Sequence, residues 1–143
     1  MELKKFKEKG ISFDFESDMV NATDMARSFK GKHVADFMRL KATQEYINVL
    51  KSDMGIPITI VKRGGTGQGT WMYKFLAYEF ASWLSPKFKL FVYKVFDNHL
   101  QKQLQKLEAE KMDLKRENKV LDYGLTQEIK NNKKYDTWHT GFH

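Results

Sequence analysis

Leucines that recur every seven residues in the last third of the chain limit the folds open to it more than any other feature. They are Leu100, Leu107, Leu114 and Leu121. With these as the d positions of a heptad repeat, the a positions are Leu104, Lys111, Asn118 and Leu125. The repeat predicts a helix over residues 100–125 that forms a coiled-coil homodimer, in which Asn118 favours two strands in register. The predicted dimerisation residues are Leu100, Leu104, Leu107, Leu114, Asn118 and Leu121.

The alternative for this segment is a long helix that folds back on its own domain. Charged residues such as Glu108, Lys115 and Arg116 leave no wide apolar face for that packing. The dimer is therefore the favoured interpretation.

The residues before the repeat have the composition of one compact domain. The chain has 143 residues, of which 41% are hydrophobic and 14% aromatic, enough for a single core of ordinary size. We expect four parts, which are a basic N-terminal segment over 1–10, a domain over 11–99, the leucine helix over 100–125 and a polar tail over 126–143. Because cysteine, an export signal and a long apolar run are all missing, the prediction is a cytoplasmic protein with no membrane partner.

Positive charge is concentrated in the middle of the chain. The formal net charge is +7 overall, but residues 27–94 contain 12 Lys and Arg against 4 Asp and Glu. Glycine and aromatic residues are also most frequent there. This distribution is expected of a surface that binds phosphates, as in nucleic-acid recognition.

The first half of the domain shows alternating and then helical patterns. Residues 11–16 alternate apolar and polar side chains, which predicts a strand with Ile11, Phe13 and Phe15 facing inward. Asn21 is placed to cap a short helix over 22–29 that stops at Gly31. A further helix with a buried stripe of Tyr46, Ile47 and Leu50 is expected to be capped by Thr43 and to end before Gly55.

A glycine-rich segment in the second half predicts a β-hairpin with a mobile tip. Residues 57–61, with Ile58 and Ile60 on one face, and residues 70–73 have strand patterns, and four glycines lie between them at 64–69. A helix over 74–84 follows, and Ser85 and Pro86 have the residue types of a helix cap and first helical position. The helix that starts there has no stop signal before the tail.

The glycines do not form a nucleotide-binding loop. A Walker A loop ends in Gly-Lys-Ser/Thr at the start of a helix, whereas Gly69 is followed by Thr70 and Trp71 in a strand pattern. No Ser-His-Asp or paired-carboxylate arrangement is present, and Asp14, Glu16 and Asp18 fit the solvated face of a strand better than a metal site. The sequence therefore predicts a protein that is not an enzyme and has no cofactor and no metal.

Adjacent cations at the base of the hairpin favour a DNA-binding role instead. Lys62 and Arg63 point to opposite faces of a strand, so that one reaches a phosphate while the other reaches a groove edge. The predicted DNA-binding residues are Arg27, Lys30, Lys32, His33, Arg39, Lys41, Lys62, Arg63, Gly65, Gly67, Gln68, Thr70 and Lys74.

Several short blocks together resemble the KilA-N domain of phages, prophages and large DNA viruses, which is similar to the fungal APSES domain. The blocks are Val20–Ala26, Thr43–Leu50, Gly64-Gly65 with Gly69-Thr70-Trp71, Leu76-Ala77, Phe80–Pro86 and Phe88. The resemblance implies an α+β fold in which a helix-turn-helix-like unit and a β-hairpin wing over 62–70 face DNA. It also implies that Thr23, Thr43, Trp71, Trp83 and Pro86 are structural anchors. Tyr73 departs from the family, which usually has His at this position.

The function predicted from these features is sequence-specific binding of double-stranded DNA by a transcriptional regulator of phage or prophage type. A dimeric coil would let two copies hold two half-sites. The alternative is an antirepressor or a phage-encoded inhibitor, in which the basic surface engages a host or phage protein.

Overall fold

The structure is a computed structural model that describes residues 1–132, with side chains described as far as residue 118. It divides into two units, one over Met1–His99 and one that begins at Leu100. The side chain of Leu121 lies outside the described residues. Of the predicted tail over 126–143, only the helical backbone up to Asn132 is described.

A five-stranded antiparallel sheet forms one part of the first unit. Its strands lie in the order β1-β2-β3-β5-β4. They are β1 (Glu2–Phe6), β2 (Lys9–Asp14), β3 (Met19–Asn21), β4 (Thr59–Lys62) and β5 (Gly69–Tyr73). The predicted hairpin is confirmed, because β4 pairs with β5 in a register that places Lys62 opposite Gly69.

Five helices complete the described chain. They are α1 (Ala22–Ala26), α2 (Val34–Met38), α3 (Lys41–Met54), α4 (Lys74–Leu84) and α5 (Pro86–Asn132). The bounds of α4 and the start of α5 agree with the prediction, and Ser85 Oγ accepts a hydrogen bond from the Phe88 N–H at 3.2 Å. Sheet and helices together make the fold α+β, as predicted. No helix within residues 1–132 is both long and apolar enough for a membrane crossing.

Aromatic side chains from both sheet and helices fill the core of the first unit. The largest side chains that are fully buried include Phe13, Trp71, Phe80 and Phe88. Ile11 and Phe13 face inward from β2, as their alternation predicted, while Phe15 is half-buried against Phe96. The core therefore lies where α1 and α4 pack against β2, β3 and β5.

Residues 2–6 form a strand where the sequence analysis expected only a basic segment. β1 pairs with β2 over its whole length, and Phe6 packs against Phe29, Phe88 and Phe91. The charged residues of this segment hide the strand pattern, because β1 lies at the sheet edge and only part of it is buried.

Three local predictions are wrong in detail. Thr43 does not cap α3, because the helix begins at Lys41. Thr43 is instead a buried residue in the first turn of this helix. α1 ends at Ala26 rather than at residue 29. Ile60 is 38% exposed while Ile58 is fully buried, so the face predicted from their alternation is buried only at Ile58.

The second unit contains the later part of α5. Every residue from Leu100 to Asn118 is exposed, including the heptad leucines Leu100, Leu104, Leu107 and Leu114.

Candidate nucleic-acid interface

Three hydrogen bonds hold the end of the β4–β5 loop, residues 63–68, and the start of β5 in place, and two of them are made by residues at the start of α1. The Asn21 side-chain amide donates to the Gln68 carbonyl at 3.0 Å, and the Trp71 indole donates to the Gly67 carbonyl at 2.7 Å. The Thr70 N–H donates to Thr23 Oγ1 at 3.0 Å. Residues 67–70 are therefore held by hydrogen bonds, at the end of the loop whose tip the sequence predicts to be mobile.

Gly69 is required by this arrangement. Its φ is +136°, a value that residues with a side chain rarely adopt. A Cβ at this position would lie 2.7 Å from Asn21 Oδ1 and 2.9 Å from Thr23 Oγ1. The glycine therefore lets the loop backbone approach α1 closely.

The cap of α1 connects the same region to β2. Asn21 Oδ1 accepts a hydrogen bond from the Asp24 N–H at 3.1 Å, which confirms the predicted cap. The buried Asp24 carboxylate accepts from the Ser12 N–H of β2 at 3.0 Å and pairs with Arg27 at 2.7 Å. Asn21 and Asp24 thus fix the loop, the helix and a neighbouring strand relative to one another.

A cleft of about 350 Å³ lies between the β4–β5 loop and α1, and we call it the loop cleft. It is lined by four of the predicted DNA-binding residues, Arg27, Gly65, Gly67 and Gln68. The Gln68 side chain is exposed although its carbonyl is bonded to Asn21, so it projects from a fixed backbone. Sequence reasoning did not assign Ser12 to this site, because nothing local marks a strand residue that packs beside a distant loop.

A second cleft, of about 460 Å³, is lined by the connection between α1 and α2, and we call it the basic cleft. Its predicted residues are Arg27, Lys30, Lys32 and His33. Thr23 and Arg27 line both clefts, so the two adjoin. The structure therefore brings seven of the thirteen predicted residues to one continuous surface.

The cations of this surface differ in how they are held. Arg27 is paired with Asp24, and the Lys32 ammonium lies 4.5 Å from the centroid of the Trp83 ring. Lys30 makes no ion pair or side-chain hydrogen bond with the described residues. Lys9 of β2 was missed by the sequence analysis, and its ammonium donates to the Arg27 carbonyl at 3.2 Å.

The base of the hairpin carries two further predicted cations. The Lys62 ammonium lies 4.8 Å from the centroid of the Trp71 ring, so its stem also packs on the core edge. Arg63 is exposed and makes no ion pair with the described part of the chain. Thr70 is half-buried, and its N–H is occupied by Thr23.

Like Lys62 and Arg63, three further predicted cations line neither cleft. Lys74 lies beyond the opposite end of β5 from Gly69, where it pairs with Asp18 at 3.4 Å. Arg39, just after α2, pairs with Asp36. Lys41 pairs with Glu45 at 3.9 Å along α3.

Chemically, the two clefts offer cations, amide groups and exposed glycine backbone. Within residues 1–118 no three His, Cys, Asp or Glu side chains are grouped to hold a metal ion. Burial raises the pKa of Tyr78 to about 12 and also raises that of Tyr46, but neither tyrosine lines the two clefts. The surface is therefore suited to binding an anion.

The anchors implied by the family resemblance have visible structural roles. Thr23 and Trp71 bond the loop, Trp83 stacks on Phe80, and Pro86 starts α5.

Comparison with known proteins gives one match. No curated protein and no solved structure was found to match the chain. A family model described as the KilA-N domain matches residues 4–102, which is more than half of the sequence. The chain therefore belongs to the KilA-N domain family, which is associated with DNA binding.

Proposed function

We propose that the protein is a sequence-specific double-stranded DNA-binding regulator of phage or prophage type that uses the β4–β5 hairpin as a wing. The observation that carries the proposal is the meeting of the β4–β5 loop and the α1–α2 connection at two adjoining clefts. Such a protein would act in the cytoplasm, where its target DNA lies.

The two parts of this surface suit different contacts with a duplex. Lys30 and Lys32 supply cations for phosphates along the basic cleft, and the His33 side chain can donate a hydrogen bond to a phosphate. Arg63 and Gln68 are exposed on the hairpin. The guanidinium of Arg63 and the side-chain amide of Gln68 match the hydrogen-bond acceptors and donors of base edges. The glycines at 64 and 65 have nothing within 4 Å of an added Cβ, so the loop tip is open to an approaching backbone.

Charge favours the hairpin side over α3 as the main DNA contact. α3 follows α2 after two residues, a connection slightly shorter than the turn of about three to four residues in a helix-turn-helix unit. Its two lysines, Lys41 and Lys51, are balanced by Glu45 and Asp53. In this proposal α3 and Arg39 have a secondary role.

The heptad leucines support a homodimer. Leu100, Leu104, Leu107 and Leu114 are between 43% and 60% exposed along one helix. Fully burying a leucine side chain stabilises an assembly by about 1.5–3 kcal/mol. Burial of these leucines against a second copy would therefore stabilise the dimer. A dimer would place two wings on two half-sites of an operator.

Salt dependence of duplex binding is the first test. If about six or more phosphates are contacted, the affinity for a duplex selected from a random pool should fall about a thousandfold between about 50 and 200 mM salt. Fluorescence anisotropy of a labelled duplex measures this. No binding at low salt would contradict the proposal, and an acidic protein partner would then be sought instead.

Replacement of Arg63 by Ala tests the wing. Because Arg63 has no ion pair within the described residues, the change should leave the melting temperature unchanged. Affinity for the selected duplex should fall about tenfold or more, with relaxed specificity at one position, if Arg63 reads a base edge. Lys51→Ala on α3 is the matched control, and equal losses in the two variants would place the contact elsewhere.

A further inference from the structure

The turn that joins β1 to β2 brings two lysines beside the basic cleft. The Lys9 ammonium donates to the Arg27 carbonyl at 3.2 Å. The Lys7 ammonium lies 5.3 Å from the centroid of the Phe29 ring. Because Arg27 and Phe29 both line the basic cleft, the two ammonium groups border it from the N-terminal side.

These lysines are positioned by tertiary contacts. Phe6, next to the turn, packs on Phe29, Phe88 and Phe91, so the hairpin is held against the α1–α2 connection. Lys7 also lies over the Phe6 ring, at 5.5 Å. The aromatic cluster that supports the cleft therefore also positions the Lys7 ammonium, whereas the Arg27 carbonyl positions that of Lys9.

The turn has an unfavourable sequence for its geometry. Phe6 pairs with Lys9, which leaves a two-residue turn of Lys7 and Glu8, and both have positive φ, at 49° and 66°. Turns of this type favour Asn-Gly, because a larger side chain in the left-handed region is disfavoured. Asn at position 7 should therefore fit the backbone better than the lysine that is present.

We propose that the β1–β2 turn is a second DNA-contacting element, in which Lys7 and Lys9 bind the phosphate backbone of the duplex engaged by the β4–β5 loop. The inference rests on the proposed function and adds to it a contact segment outside the charged middle of the chain. Duplex phosphates fit better than base edges, because an ammonium is a point charge without the planar fork that recognises a base. The turn extends the cationic surface beyond the basic cleft. Further phosphates along the same DNA strand can therefore be bound there.

The test compares wild type with the double variant Lys7→Asn/Lys9→Gln. Loss of two phosphate contacts should reduce the slope of log affinity against log salt by about 2, so affinity falls more at low salt than at high salt. The melting temperature of the single variant Lys7→Asn should be equal to or above that of wild type, because Asn tolerates the left-handed backbone. Weaker binding without lower stability separates a DNA contact from a structural role.

Two matched variants complete the design. Lys94→Gln removes a charge from an exposed position on α5 that lines neither cleft, and its salt slope should equal that of wild type. Glu8→Gln removes the acid between the two lysines and should raise the affinity. If the double variant does not fold, Lys7→Asn alone should still lower the slope by about 1.

The outcomes separate this inference from the proposed function. If wild type does not bind duplex DNA with a salt-dependent affinity, the proposed function fails. If wild type binds and both Lys7→Asn and the double variant keep its slope, only the role of the turn is overturned. A slope that falls as much in Lys94→Gln as in Lys7→Asn, which also removes one charge, would overturn it too. The effect would then be one of net charge.

Discussion

Single short polar side chains set the geometry of the candidate interface. Asn21 caps α1 with its oxygen and holds the Gln68 carbonyl with its nitrogen. Thr23 accepts the N–H of Thr70, a residue 47 positions away in the chain. The cap was predictable because its signal is local, but the bonds to the loop were not, since no pattern in the sequence marks them.

Gly69→Ala should destabilise the protein by more than about 2 kcal/mol. The added methyl group meets Asn21 and Thr23 at a φ that alanine rarely adopts, and the hydrogen bonds of the loop would be lost with the displacement. Urea unfolding followed by circular dichroism measures the change. Gly65→Ala is the control, because its φ is also positive but nothing lies within 4 Å, so only about 1 kcal/mol of backbone strain is expected. Equal losses in the two variants would contradict close packing at Gly69.

Tyr78 should make stability fall at alkaline pH. Burial, Asp18 and Tyr93 raise its pKa to about 12, above the value of about 10 expected in the unfolded chain. The neutral phenol therefore favours the folded state, and this contribution is complete below about pH 10 and is lost as the pH rises through about 12. The unfolding free energy of wild type should fall relative to that of Tyr78→Phe across this interval. Parallel curves would show that Tyr78 does not carry the shift.

At the scale of elements, predictions succeeded where the signals are local. Ser85 and Pro86 mark the start of α5, and Gly55, with a φ of 63°, ends α3 as expected. β1 was not predicted, because an edge strand gains its stability from pairing with β2 and from the packing of Phe6 rather than from its own pattern. Thr43 was misread as a cap, since Lys41 and Ala42 before it are good helix formers.

The candidate interface was predictable in residue types but not in arrangement. The positive charge of residues 27–94 and the glycine-rich segment indicated the α1–α2 connection and the β4–β5 loop separately. That Lys30 and Gln68 line adjoining clefts follows only from the fold. Lys9 escaped prediction because the hairpin that positions it was not foreseen.

At the scale of the whole molecule, the chain combines a compact unit over Met1–His99 with a second unit whose described side chains are all exposed. Exposed leucines at heptad spacing are characteristic of helices that associate, since most of the other positions between residues 100 and 118 are polar. Association would give each dimer two candidate DNA interfaces, one per subunit, and the affinity for a two-site operator would then exceed that for a half-site.

Loss of the leucine seam should produce a monomer. Truncation after His99, or Leu107→Asp with Leu114→Asp in the full chain, removes the surface expected to pair. Sedimentation velocity should show a dimer for wild type and a monomer for these variants. Ala109→Asp, at the outward f position of the same helix, is the control and should remain a dimer. A truncated protein that still sediments as a dimer would place the interface in the first unit.

The bonds from Asn21, Thr23 and Trp71 to the β4–β5 loop have a thermodynamic consequence for recognition. Ordering the backbone of a residue costs about 1–2 kcal/mol of conformational entropy. Residues 67–70 are already ordered in the folded protein, so binding does not have to order them. A duplex that docks on this end of the loop would meet a preorganised surface. Discrimination between sequences can then rest on the side chains that project from it, because the backbone beneath them does not adjust to accommodate a wrong base.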